Sequence, residues 1–67
     1  MNKLTQPPTI QLNGEKRPLS GPQTLINLLQ ELSIPKEKVV VEVNMEIIPK
    51  DQWHTHTLND GDEVEIG

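Results

Sequence analysis

Residues 58–66 are Leu-Asn-Asp-Gly-Asp-Glu-Val-Glu-Ile, and Gly67 follows them. This segment contains residues typical of a turn and then the alternation of apolar and polar residues that is typical of a strand. The Asp60-Gly61 pair predicts a tight turn, because glycine tolerates positive φ and aspartate can bond its own backbone. Val64 and Ile66 then alternate with glutamates, which is typical of a strand with one buried face. The segment therefore predicts a core strand that runs up to Gly67.

The composition limits both the size and the chemistry of the core. A chain of 67 residues forms one domain, and a domain of this size buries roughly 60% of its unfolded surface. Hydrophobic residues make up 33% and Trp53 is the only aromatic residue, so the core must be aliphatic. The absence of cysteine excludes disulfides, thiolate metal sites and cysteine nucleophiles. No stretch resembles a membrane span or a signal peptide, and we expect a cytoplasmic protein.

The charge is −4 overall and is distributed unevenly. Residues 1–36 carry two more basic than acidic side chains, whereas residues 37–67 carry six more acidic than basic ones. An acidic chain without a basic stripe argues against nucleic-acid binding. The acidic second half indicates a basic docking surface on a protein partner. The simpler alternative is that Glu63 and Glu65 only form a solvated strand face.

The first part of the chain predicts a lead-in followed by a hairpin. Residues 1–8 are expected to be disordered, because Pro7-Pro8 removes two backbone donors, and residues 9–67 are expected to form the domain. Asn13-Gly14 is a strong hairpin signal, since a type I′ turn needs positive φ at both positions. Pro18, within the returning strand expected over residues 15–19, argues for an edge position in the sheet or an early end of that strand.

One helix is predicted after the hairpin. Thr24 is the expected N-cap, and Asn27 stands where a capping box usually has Glu or Gln, so we expect an incomplete box. Pro35 ends the helix at or before the preceding residue. Four leucines have the spacing of one helical face, namely Leu25, Leu28, Leu29 and Leu32. So short a helix must pack on a sheet to be stable.

The remaining segments predict further strands. Residues 39–44 are expected to form an apolar strand. Asn44-Met45 can form a turn that leads into a short returning strand over residues 46–48. Because Met45 would be strained at positive φ, we expect this turn to adopt another geometry. Residues 49–57 are expected to be irregular. The expected inward set is Ile10, Leu12, Val39, Val41, Val43, Val64 and Ile66. The order predicts an α+β domain with one helix across a mixed sheet.

Little in the chain supports catalysis. Ser20 and Ser33 lack an evident base beside them, as a nucleophile requires. His54 and His56 alone do not supply the three or four ligands of a metal site. We expect both histidines to lie exposed in a loop. Trp53 either caps the aliphatic core, which we expect, or serves as an exposed partner anchor. The acidic residues near the last strand do not have the spacing of an EF-hand.

Several short motifs together resemble the ThiS family of sulfur carriers in thiamine biosynthesis. The resemblance covers residues 9–66 and rests on Ile10–Gly14, Thr24 with Leu28-Leu29, Val41–Asn44 with Glu46–Pro49, and Asp60–Ile66. The small subunit of molybdopterin synthase is similar at the Asp-Gly-Asp segment but matches less well over residues 41–49. The resemblance implies a ubiquitin-like β-grasp fold with a mixed sheet of four to five strands and one main helix.

The resemblance also implies a carrier rather than an enzyme, with no cofactor. In the family, an E1-like adenylating enzyme of the ThiF type activates the terminal carboxylate, sulfur replaces AMP, and a thiazole synthase of the ThiG type uses the thiocarboxylate. Carried over to this chain, the modified terminus is Gly67. The neighbouring residues Val64, Glu65 and Ile66 would contribute to partner docking. The alternative is a ubiquitin-like interaction module without covalent chemistry.

The sequence departs from the family pattern beyond the last strand. Family members continue for several residues and end in Gly-Gly, whereas one glycine follows Ile66 here, and an extended residue spans only about 3.3–3.6 Å. Asn44-Met45 also replaces a common Asn-Gly. Three explanations stay open: a carrier whose tail has been trimmed, a short homologue that has lost carrier chemistry, or a divergent carrier that ends at Gly67.

Overall fold

The computed structural model describes residues 6–67 and consists of five strands, one α-helix and two 3₁₀ turns. Residues 1–5 of the predicted lead-in lie outside the described residues, and residues 6–8 have no regular secondary structure. The elements are β1 (Thr9–Leu12), β2 (Glu15–Pro18), α1 (Leu25–Glu31), β3 (Val41–Val43), β4 (Glu46–Ile47) and β5 (Glu63–Ile66), with 3₁₀ turns at Lys36–Lys38 and Lys50–Gln52. No helix within residues 6–67 has the length and apolarity needed to cross a membrane.

The strands form one mixed sheet in the order β2-β1-β5-β3-β4. Strand β5 is central, because it pairs in parallel with β1 and antiparallel with β3. Strand β2 lies at one edge, as Pro18 predicts, and β4 lies at the other. The predicted α+β architecture is confirmed.

The turns at the two ends of β1 follow the predictions. Asn13 and Gly14 have φ of 49° and 85°, as a type I′ turn requires. Gly61 has φ of 88° in the turn before β5, and Asp60 accepts the Thr9 N–H through Oδ1 at 2.8 Å. The first turn therefore joins β1 to β2 as predicted, and the Thr9–Asp60 bond ties the start of β1 to the turn that precedes β5.

The second hairpin corrects one prediction. Asn44 and Met45 both adopt positive φ, at 52° and 70°, so Met45 does not force another turn geometry. The Met45 side chain is 86% exposed, so it is not part of the packed core. The connection between β3 and β4 has room for only two residues, and the twist of the strands favours positive φ at both. The conformation costs about 1–2 kcal/mol for an L-residue.

Helix α1 begins as predicted, but its capping box is complete. Asn27 N–H donates to Thr24 Oγ1 at 3.2 Å, and Thr24 N–H donates to Asn27 Oδ1 at 3.3 Å. The prediction of an incomplete box was wrong, because an asparagine carbonyl reaches the N-cap N–H as the usual Glu or Gln would. Leu25, Leu28 and Leu29 are fully buried against the sheet.

The core is aliphatic except for Trp53. Its buried members are Ile10, Leu19, Leu25, Leu28, Leu29, Val41, Val43, Ile48, Trp53, Leu58 and Val64. Leu12, Val39 and Ile66 of the expected inward set are partly buried against this cluster. Trp53 is 1% exposed and its Nε1–H donates to the Ile48 carbonyl at 2.7 Å, which confirms its expected place as a cap over the core.

Candidate functional site

Gly67 is exposed but is held by the sheet. Its N–H donates to the Val40 carbonyl at 3.0 Å, and its carbonyl accepts from the Val40 N–H at 2.7 Å. The backbone of β5 therefore continues its pairing with the β3 side through Gly67. A Cβ at this position would meet no atom of residues 6–67 within 4 Å, so the described part of the fold does not require glycine there.

The side chains of β5 divide between the two faces of the sheet. Val64 is completely buried, so its side chain is not available for the direct partner contact that the sequence suggested. Ile66 is partly buried, and Glu65 is exposed on the face that points away from the helix, which we call the outer face. Of the three docking residues suggested by the sequence, Glu65 and Ile66 are the two that reach the surface.

A shallow depression lies beside Gly67, where β5 ends. It measures about 330 Å³ and is open to solvent. Its lining consists of Val40, Glu42, Glu65, Ile66 and Gly67. The structure thus brings two of the sequence-predicted docking residues together with the predicted terminus.

Apolar side chains extend this surface toward the edge of the sheet. Val40 is 54% exposed and Ile47 is 66% exposed. The pairing of Glu42 with both Ile47 and Glu65 places these three side chains in one row across β4, β3 and β5. The sequence gives one signal for Val40 and Ile47, which is that neither is at a position expected to point inward. That signal alone does not mark them as part of a surface site.

The electrostatics of the outer face favour a cationic partner. Glu42 and Glu65 lie directly opposite each other on adjacent strands. Like charges in such a pair repel each other and destabilise the sheet. A lysine or arginine of a partner placed between the two carboxylates would relieve this repulsion, whereas a second copy of this chain would add to it.

The last strand is held at both ends by asparagine side chains. Asn13 Oδ1 accepts from Ile66 N–H at 2.7 Å, and Asn13 Nδ2 donates to the Ile66 carbonyl at 3.1 Å. At the start of the strand, Asn44 Oδ1 accepts from Glu63 N–H at 3.0 Å and Asn44 Nδ2 donates to Asp62 Oδ1 at 3.1 Å. The sequence alone marks both asparagines only as turn residues.

The histidines lie away from this surface. His54 is exposed and lines a second depression together with Ile26, Lys36, Lys50 and Asp51. His56 is partly exposed, and its main-chain carbonyl accepts from Leu25 N–H at 3.0 Å. In the part of the chain that the structure describes, no three His, Cys, Asp or Glu side chains are close enough to hold a metal ion.

A five-stranded mixed sheet with one helix packed across it defines a protein of the ubiquitin-like β-grasp class. A solved structure of the thiamine biosynthesis protein ThiS from Geobacter metallireducens matches with a TM-score of 0.78 and 30% identity, covering 87% of this chain and 88% of that one. The model of the ThiS family matches residues 10–66. The chain belongs to the ThiS family.

Two curated relatives illustrate the range of proteins that this chain resembles. The sulfur carrier protein ThiS of Escherichia coli K12 is 29% identical over 55 residues, which cover 82% of this chain and 83% of that protein. A thiazole synthase of Paramagnetospirillum magneticum is 46% identical over 55 residues. Those residues cover 82% of this chain but only 17% of the length of the synthase.

Proposed function

We propose that this chain is a sulfur carrier for the thiazole branch of thiamine biosynthesis. The observation that carries the proposal is the family match over residues 10–66. The domain supplies a docking surface and an exposed end to the central strand, while partner enzymes supply the catalysis. The chain is then a carrier and not itself an enzyme.

The proposed chemistry takes place at the terminal carboxylate, for which Gly67 stands in this sequence. A free carboxylate is a poor electrophile, so a carboxylate oxygen first attacks the α-phosphorus of ATP and releases pyrophosphate. This step belongs to an E1-like adenylating partner of the ThiF type. Sulfur at the oxidation level of hydrosulfide then attacks the acyl carbon, and AMP leaves with the electron pair of the broken C–O bond. The product is a thiocarboxylate.

A thiazole synthase of the ThiG type is the proposed acceptor of the sulfur. In Paramagnetospirillum magneticum, a segment similar to this chain forms part of a protein named thiazole synthase. This arrangement supports a partnership between the two activities. Because the proposed activation consumes ATP, we place the carrier in the cytoplasm.

The requirement for glycine at position 67 would come from the partner. Within the domain, a side chain at this position would project into open space. An adenylating enzyme must instead receive the backbone in a narrow channel, where a residue without Cβ passes most easily. Glu42 and Glu65 would meet cations at the rim of this partner, and Val40 and Ile47 would contact its apolar surface.

Intact mass spectrometry tests the function. The chain, and a matched form extended by Gly-Gly, are incubated with a ThiF-type enzyme, ATP and a sulfide donor, with omission of ATP as the control. An increase of about 16 Da, from the replacement of oxygen by sulfur through an activated acyl group, is the expected result. An increase in the extended form alone identifies a trimmed tail. No increase in either form would overturn the carrier function in favour of an interaction module.

A further inference from the structure

The two polar groups of the Ile66 backbone point away from β3. In an antiparallel pair, residues alternate between those that exchange both hydrogen bonds and those that exchange none. Val40 and Gly67 exchange both, so the next pair, Val41 and Ile66, exchanges none. The Ile66 N–H and carbonyl therefore face the other neighbour, which is β1.

Strand β1 does not extend far enough to pair with these groups. It ends at Leu12, and the chain turns away through Asn13 and Gly14. The main-chain N–H of Asn13 still donates to the Val64 carbonyl at 2.8 Å. Two residues further along β5, at Ile66, the Asn13 carboxamide makes the hydrogen bonds that a longer β1 would have made. It accepts from Ile66 N–H at 2.7 Å and donates to the Ile66 carbonyl at 3.1 Å.

We propose that Asn13 is a positioning residue that sets the direction in which the backbone leaves the sheet at Gly67. The inference rests on the proposed carrier function. With the carboxamide in place, Ile66 is held from the β1 side while Gly67 is held from the β3 side. The backbone is thus held up to and including Gly67, which lines the depression beside it, and it can leave the sheet only from that residue onward.

A fixed direction matters because the reacting group must enter an active site that is aligned by docking of the domain. Without the side chain of Asn13, Ile66 loses both bonds on one side, and the backbone that leads to Gly67 samples more directions. A smaller fraction of docked complexes then has the carboxylate in line with ATP. Loss of orientation lowers the rate of the bound complex and not the strength of docking.

The chain contains its own control in Asn44. This residue also occupies the first position of a two-residue turn with positive φ, and its carboxamide also bonds β5. Its contacts, however, are at Asp62 and Glu63, the opposite end of the strand. Asn13→Gly and Asn44→Gly each remove one carboxamide while keeping a residue that accepts positive φ.

Hydrogen exchange measured by NMR tests the structural part without any partner. In Asn13→Gly, the Ile66 amide should exchange roughly three- to tenfold faster than in the wild type, while the Glu63 amide is unchanged. Asn44→Gly should show the reverse. A third variant, Asn13→Asp, keeps the acceptor but loses the donor, and should be intermediate. Unchanged exchange at Ile66 in folded Asn13→Gly overturns the proposal.

Adenylation kinetics with the ThiF-type enzyme test the functional part. Asn13→Gly should lower kcat by about tenfold and leave KM within about twofold of the wild type. Asn44→Gly should leave both constants unchanged. Equal kcat for wild type and Asn13→Gly overturns the positioning role alone. Absence of adenylation in the wild-type chain and in its Gly-Gly extended form overturns the proposed carrier function instead.

Discussion

Replacement of Trp53 by phenylalanine probes how the loop after β4 is held over the core. The indole is 1% exposed, and its Nε1–H donates a 2.7 Å hydrogen bond to the Ile48 carbonyl. Phenylalanine keeps an apolar ring but has no donor. The Ile48 carbonyl would therefore lose this partner in a region from which water is excluded.

The expected loss of stability follows from two contributions. A buried acceptor left without its partner costs about 1–3 kcal/mol, and the space left by the smaller ring adds about 1 kcal/mol. We expect the free energy of unfolding to fall by about 2–4 kcal/mol. A domain of this length has about 3–10 kcal/mol in total. The single substitution therefore removes a large part of the stability.

Urea unfolding followed by circular dichroism measures the change, since the variant lacks the only tryptophan. The midpoint should fall while the m-value stays constant. Ile47→Ala is the control, because Ile47 is 66% exposed at a sheet edge and its truncation should cost no more than about 0.5 kcal/mol. A loss for Trp53→Phe no larger than that of the control would refute the reasoning.

Three further substitutions test other features. Thr24→Ala removes the side-chain acceptor at the N-cap of α1 and should lower the free energy of unfolding by about 1 kcal/mol. This loss should appear as a fall in Tm of about 4–8 °C. An unchanged Tm would contradict the observed capping box. Met45→Gly relieves about 1–2 kcal/mol of backbone strain against about 0.5–1 kcal/mol of added chain entropy, so the urea midpoint should rise, and a fall would argue against strain. Glu42→Lys should slow association with the adenylating enzyme in stopped-flow measurements, and the association rate should depend less on salt. Glu15→Lys, at the opposite sheet edge, is the control and should change the rate little. Equal effects of the two variants would show that only net charge matters.

The elements that the sequence predicted well are those with local signals. The alternation around Val64, the Asn13-Gly14 turn and the leucine face of α1 each depend on residues a few positions apart, and all are present in the structure. Leu19 and Leu58 were missed in the core because they lie in connecting segments, where no period marks a buried residue. Met45 was misjudged because the two-residue connection between strands outweighs the preference of one residue.

The contacts around the candidate site could not be predicted in the same way. The bond between Asn13 and Ile66 spans 53 positions in the chain and exists only because β1 and β5 are neighbours in the sheet. Glu65 and Ile66 could be recognised from their strand, but their partners Val40 and Glu42 come from a different one. The depression beside Gly67 therefore depends on tertiary pairing and not on any motif.

The central position of β5 in the sheet has a consequence for folding during synthesis on the ribosome. The first hairpin and β3 have no pairing with each other and meet only through β5, which is translated after both. A nascent chain that stops before Glu63 lacks the strand that joins the two halves of the sheet. Such an incomplete product cannot assemble the outer face, so an unfinished chain cannot compete with finished ones for the same partner.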